Sequence, residues 1–190
     1  PTHRSYAGAG VVEILGDRLK NVRVVEANWL ESTVFLNRGN QFEARPLPAE
    51  AQFAPAFGIC VADFDGDGNE DIFLAQNFFG TVPDAPRYDA GRGVWLRGNG
   101  KGSFDAVPGQ ESGVKVYGEQ GGAALCDYDG DGRVDLVVTQ NGAETKLYRN
   151  REAKVGLRVR LKGPTGNPTG VGAMLRIQSK DHLGPAREIH

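Results

Sequence analysis

An acidic segment of nine residues that occurs twice constrains the fold of this 190-residue chain more than any other feature. The first copy, 63–71, reads DFDGDGNED, and the second copy, 127–135, reads DYDGDGRVD. The copies lie 64 residues apart, and a Gln-Asn pair follows each of them, at 76–77 and 140–141. A repeat of this kind indicates that one structural unit occurs at least twice in the chain.

The four aspartates of each copy, at positions 1, 3, 5 and 9, favour a bound calcium ion. Carboxylates held this close together repel one another unless a hard cation lies between them, and calcium accepts about six to eight oxygen ligands. Magnesium requires a stricter octahedron and zinc prefers His or Cys ligands, so both are weaker candidates. The residue at position 7 contributes its main-chain carbonyl, so its side chain is free to vary. The predicted ligands are Asp63, Asp65, Asp67, Asn69 and Asp71 at one site, and Asp127, Asp129, Asp131, Arg133 and Asp135 at the other.

An EF-hand is the main alternative for such a loop, and the sequence argues against it. An EF-hand carries a bidentate glutamate at position 12 and has helices on both sides. Position 12 is Leu74 in the first copy and Val138 in the second. Both residues lie in apolar runs, 72–75 and 136–139, that are typical of strands buried on both faces. A polar turn without an ion is the other alternative, and two copies with identical spacing make it the weaker one.

A second repeated pattern predicts an all-β fold. Short strand-like segments with a central aromatic residue occur at 34–37, 94–97 and 147–150, and their aromatic residues lie 60 and 53 positions apart. No segment shows the pattern of an amphipathic helix. Units of about 60 residues built from short strands predict β-propeller blades, here a partial propeller with calcium loops between the strands. A small C-terminal β segment follows, in which Leu157–Leu161 alternates like a half-buried strand.

The acidic loops, each lying between two apolar strands, resemble the calcium loops of FG-GAP/VCBS repeats, which form β-propeller blades in proteins such as integrin α chains. Residues 157–161 and 170–177 resemble the start of the ASPIC/UnbV segment that follows such repeats in cartilage acidic protein-like proteins. The resemblance implies a repeat region over 1–150, with about three blade-like units, and an ASPIC/UnbV-like β segment over 151–190. It also implies structural calcium, no established catalysis and an exported or cell-surface protein. Because propellers contain about four to eight blades, we expect the chain to be part of a longer protein.

Composition and the remaining motifs argue against several other functions. The 22 basic and 24 acidic side chains give a formal charge of −2, without the basic surface that nucleic-acid binding requires. No apolar run approaches the roughly 18 residues of a membrane helix, so we expect no membrane insertion. The Gly98–Ser103 stretch lacks the Lys-Ser/Thr pair of a phosphate-binding loop and is interpreted as a hairpin turn. His3, His182 and His190 form no recognisable catalytic set, and we expect no enzymatic activity in this chain.

Five further residues are interpreted as packing residues. Trp29, Trp95 and Tyr148 are predicted to pack in the core or between repeats rather than to stack on sugars. Cys60 and Cys126 are predicted to be small buried core residues, because they match neither a disulfide scaffold nor a zinc motif.

These features together predict a calcium-binding interaction or adhesion module whose partner is an unidentified protein or glycan. The alternatives are an accessory domain of a larger exported enzyme and a structural spacer in an extracellular assembly. Extracellular calcium modules have dissociation constants of about 10⁻⁴–10⁻³ M. Because such sites fill only at millimolar calcium, we expect an extracellular, cell-surface or periplasmic location.

Overall fold

The computed structural model describes residues 2–178, 180 and 183–189, so His182 and His190 lie outside it. Its helices are α1 (His3–Ala7), α2 (Val11–Leu15) and α3 (Gly109–Ser112), with 3₁₀ turns at Gly16–Asn21 and Ala49–Ala51. None of these helices is long and apolar enough to span a bilayer. The strands are β1 (Thr33–Asn37), β2 (Phe42–Pro46), β3 (Ala56–Ala62), β4 (Asp71–Gln76), β5 (Val94–Gly98), β6 (Phe104–Val107), β7 (Glu119–Cys126), β8 (Asp135–Asn141), β9 (Lys146–Tyr148), β10 (Met174–Leu175) and β11 (Arg187–Glu188).

The described part of the chain is mostly β, as the sequence predicts. All the sheets are antiparallel: two hairpins, β1–β2 and β10–β11, a four-stranded meander β3–β6 (sheet I) and a three-stranded meander β7–β9 (sheet II). A β-bulge interrupts the first strand pair of sheet I at 56–58 and recurs 64 residues later in sheet II, at 120–122. The two meanders are therefore copies of one unit, and none of the described sheets closes on itself.

Both glycine-rich turns that the sequence indicates are hairpin turns. Asn37 pairs with Phe42 across the first turn, which joins β1 to β2. Gly98 pairs with Phe104 across the second turn, which joins β5 to β6. In the second turn the Asn99 side chain accepts a hydrogen bond of 2.8 Å from a main-chain amide of the turn. The Gly98–Ser103 stretch is thus a hairpin turn, as predicted.

Side chains from the facing surfaces of sheets I and II form a shared hydrophobic core. Cys60, Phe73 and Ala75 of sheet I pack with Leu136 and Val138 of sheet II, and all five side chains are buried. The opposite face of sheet I carries a second core, which is closed by the 3₁₀ turn before β3. Because β4 is covered on both faces, all of its residues are buried and its sequence shows no polar alternation.

The two sheets lie closest at their first strands and diverge towards their outer strands. A Cβ atom on Gly58 of β3 would lie 2.8 Å from the main-chain nitrogen of Ala123 in β7. Only glycine permits such an approach of two backbones. Farther out the sheets leave a groove of about 500 Å³, whose lining includes Phe64, Trp95 and Tyr148. The pair of sheets is therefore wedge-shaped.

The predictions for the aromatic residues are confirmed in part. Trp95 contacts Phe64 edge-on, with ring centroids 6.1 Å apart, and Tyr148 packs against the shared core, both as predicted. Trp29 is 57% exposed, and its ring lies 6.0 Å from that of Phe35 at the surface. The prediction that Trp29 is a core residue is therefore wrong.

Two further predictions are corrected by the structure. Cys60 is buried but Cys126 is exposed, because Cys126 lies on the face of sheet II that is turned away from sheet I. Residues Leu157–Leu161 form no strand, and Leu157 is 74% exposed. Their alternation is not sufficient, since no described strand pairs with them. Among the described C-terminal residues, the β structure consists of β10 and β11, with two residues each, and a single bridge between Gln178 and Leu183.

Candidate metal centres

The two acidic segments occupy equivalent turns of the two meanders. Loop 1 (63–71) joins β3 to β4, and loop 2 (127–135) joins β7 to β8. The first glycine of each loop, Gly66 or Gly130, has φ near 75°, at 74° and 76° respectively. This left-handed conformation costs glycine little and lets each loop curl around its own centre. Both loops therefore turn in the same way at their first glycine.

Each loop brings three of its four predicted aspartates together. In loop 1, one carboxylate oxygen each from Asp63, Asp65 and Asp71 lies within 4.8 Å of the others. In loop 2 the equivalent carboxylates satisfy the same condition, and they belong to Asp127, Asp129 and Asp135. Calcium–oxygen bonds of about 2.3–2.6 Å place opposite ligands about 4.6–5.2 Å apart. Both triplets therefore fit the coordination sphere of one calcium ion.

Asp71, at position 9 of loop 1, is fully buried. Its two carboxylate oxygens accept hydrogen bonds from the main-chain nitrogens of Phe64, at 3.0 Å, and Gly98, at 2.8 Å. Burial raises the pKa of Asp71 from 3.8 to about 6, although both hydrogen bonds act in the opposite direction. A buried carboxylate of this kind is stabilised by a cation beside it.

Asp135 occupies the equivalent place in loop 2 and is 1% exposed. It accepts hydrogen bonds from the main-chain nitrogens of Tyr128, at 3.1 Å, and Asn150, at 2.8 Å. Gly98 is the last residue of β5 and Asn150 lies two residues after β9, so the end of the third strand in each sheet helps to orient the position 9 carboxylate. This contribution has no local signal in the sequence.

The aspartates at position 1 organise the turn itself. Asp63 accepts hydrogen bonds from the main-chain nitrogens of Gly66, at 2.7 Å, and Gly68, at 2.9 Å. Asp127 accepts one from Gly132, at 3.1 Å. Its other oxygen, Oδ1, is buried and has no hydrogen-bond partner among the described residues. A bound cation satisfies such an oxygen, which is a further fit to a metal site.

An arginine accompanies the position 3 aspartate of each loop. Arg97 Nε lies 2.8 Å from Asp65 Oδ2, and Arg149 Nε lies 2.5 Å from Asp129 Oδ2. The charge of Asp129 raises the pKa of the Arg149 guanidinium above its usual value. Both arginines belong to the third strand of their meander or follow it directly. The sequence analysis did not identify them, although each follows an aromatic or apolar strand residue.

The aspartates at position 5 lie outside the two triplets. Asp67 accepts hydrogen bonds from the main-chain nitrogen of Asn69, at 2.7 Å, and from its side chain, at 3.0 Å. Asp131 pairs with Arg133 and Arg149, both at 3.2 Å. Coordination by Asp67 and Asp131, and by the carbonyls of Asn69 and Arg133, stays a prediction.

Comparisons with known proteins identify no family or relative for this chain. No model of a known protein family matches the chain. A search of curated proteins likewise finds no match. The function is therefore inferred from the site and the fold.

Proposed function

We propose that the chain is a calcium-binding β-repeat module in which two calcium ions stabilise the turns between strands. The observation that carries this proposal is the pair of equivalent aspartate triplets, one in each meander, with oxygens within 4.8 Å. The triplets offer carboxylate oxygens alone, which favours a hard cation over zinc. The irregular turn, supplemented by main-chain oxygens and water, suits the flexible coordination of calcium better than the octahedron of magnesium.

We further propose that the meanders are blades of a β-propeller of the FG-GAP/VCBS type, followed by an ASPIC/UnbV-like segment. Two features support this assignment. Sheet I is a four-stranded antiparallel meander, the usual form of a propeller blade. Sheet II packs on it with the first strands close together and the outer strands apart, which is the geometry of neighbouring blades around an axis.

The role that we propose for the module is binding of a protein or glycan partner in an extracellular, cell-surface or periplasmic setting. An exposed aromatic patch on the β1–β2 hairpin supports this role. Phe35 and Phe42 lie on one face of the β1–β2 hairpin, because Phe42 pairs with Asn37 and Asn37 is two residues from Phe35. Trp29 packs beside Phe35, and the three side chains are 56–69% exposed. Exposed aromatic clusters mark interaction surfaces.

Removal of calcium tests the proposal directly. At 1 mM calcium, a site with a dissociation constant of about 10⁻⁴–10⁻³ M adds roughly 0.4–1.4 kcal/mol to the free energy of unfolding. For two sites, a chelator should lower the melting temperature by several degrees, by about 2–4 °C per kcal/mol, and added calcium should restore it. Magnesium at the same concentration is the control. An unchanged melting temperature after verified removal of metal would refute the structural role.

A further inference from the structure

Residues 150–156, here called the strap, follow β9 and bind loop 2 closely. The main-chain nitrogen of Asn150 donates to Asp135, at 2.8 Å, and its side-chain amide donates to the carbonyl of Val134, at 3.2 Å. At the other end of the strap, the nitrogen of Gly156 donates to the carbonyl of Gly132, at 2.7 Å. The strap therefore contacts loop 2 at both of its ends.

The same strap also binds loop 1, which belongs to the other sheet. The side-chain amide of Asn150 donates to the carbonyl of Phe64, at 2.8 Å, across 86 residues of sequence. The nitrogen of Lys154 lies 3.4 Å from the carbonyl of Asp65, to which it donates. A Cβ atom on Gly66 would lie 2.7 Å from the same Lys154 nitrogen, so strap and loop are in close contact.

The side chain of Asn150 joins the two loops, and the first meander has no counterpart for it. Its amide nitrogen donates to both loops, while its oxygen accepts from the nitrogen of Ala153, at 3.1 Å, which fixes the amide orientation. Sheet I has Gly98 in the equivalent place, where only the main-chain nitrogen donates. The bridge is therefore a feature of loop 2 that is additional to the repeat.

We infer that Asn150 is a positioning residue that couples the two metal sites, so that they bind calcium with positive cooperativity. This inference rests on the calcium-binding function proposed above. An ion in either loop orders that loop and, through shared hydrogen bonds, the strap. The second ion then binds to a loop whose contacts with the strap are already ordered. Coupling free energies between sites typically change affinity by about 5- to 150-fold, and the effect is reciprocal.

A calcium titration of the 190-residue chain by calorimetry tests the coupling. Two ions should bind, the second at least about fivefold more tightly than the first. The Asn150→Ala variant should still bind two ions, but independently. Asn37→Ala is the matched control, because Asn37 also accepts a turn hydrogen bond, from Gly39 at 2.8 Å, and that bond involves neither loop. Its cooperativity should equal that of the unmodified chain.

A second measurement remains decisive if Asn150→Ala does not fold. The Asp129→Ala variant removes one carboxylate of loop 2 and leaves loop 1 to bind one ion. Calcium should then slow hydrogen exchange at the Gly156 amide, whose acceptor, Gly132, lies in the empty loop. Independent binding by the unmodified chain, unchanged cooperativity in Asn150→Ala, or unchanged exchange at Gly156 would overturn the inference and leave calcium binding intact. Binding of no ion at all would refute the proposed function and the inference together.

Discussion

Position 5 of each loop differs from positions 1, 3 and 9 in what its carboxylate contacts. Asp63, Asp65 and Asp71 share a cluster, whereas Asp67 caps the amides of Asn69. The triplet supplies the oxygens that lie closest together, whereas Asp67 must break its hydrogen bonds with Asn69 before its carboxylate can join them. The contribution of each aspartate to affinity should therefore be unequal.

Substitution of single aspartates should reveal this inequality. We expect Asp65→Ala to lower the number of bound calcium ions from two to one, because it removes an oxygen from the centre of loop 1. Asp67→Ala should keep two ions, with weaker binding at loop 1. Ion counting by native mass spectrometry, together with titration, checks both results. Loss of one ion from Asp67→Ala and none from Asp65→Ala would contradict the geometry.

Glu119 gives the free energy of unfolding a pH dependence away from the metal loops. Its carboxylate accepts hydrogen bonds from the nitrogen of Phe79, at 2.9 Å, and from the side chain of Asn141, at 3.2 Å. These two hydrogen bonds hold the pKa of Glu119 below its usual value, and the bond from Phe79 has the larger effect. Its stabilising contribution is therefore complete above the usual glutamate pKa and is lost as the pH falls through the lowered value.

The Glu119→Gln variant tests this contribution. At pH 7 we expect its urea midpoint to lie below that of the unmodified chain, because the charged acceptor is lost. At acid pH, once the pH has fallen through the lowered pKa of Glu119, the two midpoints should converge, because protonation then weakens the carboxylate in the unmodified chain as well. A difference that is the same at both pH values would show that charge on Glu119 is irrelevant to the interaction.

At the scale of strands, the contact between β3 and β7 depends on a single glycine. Gly58→Ala places a Cβ atom 2.8 Å from the backbone of Ala123, so the sheets must separate locally. We expect a loss of about 1–3 kcal/mol in the free energy of unfolding, as for other overpacked cores. Chemical denaturation at saturating calcium measures the loss without interference from metal binding.

Gly122 provides a matched control, because it lies 64 residues after Gly58 in the equivalent strand. A Cβ atom there would meet only Thr139 Oγ1, at 3.5 Å, an ordinary contact. Gly122→Ala should be neutral or add about 0.4–1 kcal/mol, because alanine restricts the unfolded chain. Equal losses in Gly58→Ala and Gly122→Ala would mean that the close approach of the two sheets is not what makes glycine necessary.

Strands next to the acidic repeat could be predicted from the sequence, whereas alignment of the outer strands could not. The apolar runs after the loops are β4 and β8, as expected. The aromatic pattern in the sequence makes Trp95 and Tyr148 equivalent positions of the repeat, whereas the strand pairing makes Leu96 the equivalent of Tyr148. Leu96 pairs with Ile72, and Tyr148 pairs with Leu136, which lies 64 residues after Ile72. A shift of one residue turns a side chain to the other face of a sheet, so an aromatic match alone does not determine register.

At the candidate metal centres, too, residues close in sequence could be predicted, whereas contacts from distant parts of the chain could not. Spacing within nine residues is sufficient to identify Asp63, Asp65 and Asp71 as candidate ligands. The arginine at 97 and the amide of Asn150 reach the loops from other strands, Asn150 across 86 residues to Phe64. No sequence pattern encodes these contacts, because they arise from the packing of complete sheets.

For the molecule as a whole, calcium should reverse the sign of the net charge. The chain has 22 basic and 24 acidic residues, so its formal charge is −2 at pH 7. Two bound calcium ions add four positive charges and bring it to about +2. Capillary electrophoresis at pH 8 should show migration towards the anode in chelator and towards the cathode in excess calcium.

The double variant Asp65→Ala/Asp129→Ala is the control for this measurement. It lacks one carboxylate in each triplet, which brings its formal charge from −2 to 0, and calcium should leave its migration unchanged. If the unmodified chain keeps its direction of migration while calcium binding is confirmed, the number of bound ions is smaller than two.

Sheets I and II contact each other through non-equivalent faces, so the pair has a head-to-tail arrangement. Sheet II packs on sheet I through Leu136 and Val138. The equivalent residues of sheet I, Ile72 and Leu74, lie on the face of sheet I that is turned away from sheet II. A stack built in this head-to-tail manner has different surfaces at its two ends, so a twofold axis cannot complete it. Each additional sheet of the same kind would tilt the stack in the same sense. The narrow spacing at Gly58 thus sets the curvature of any array that these units form.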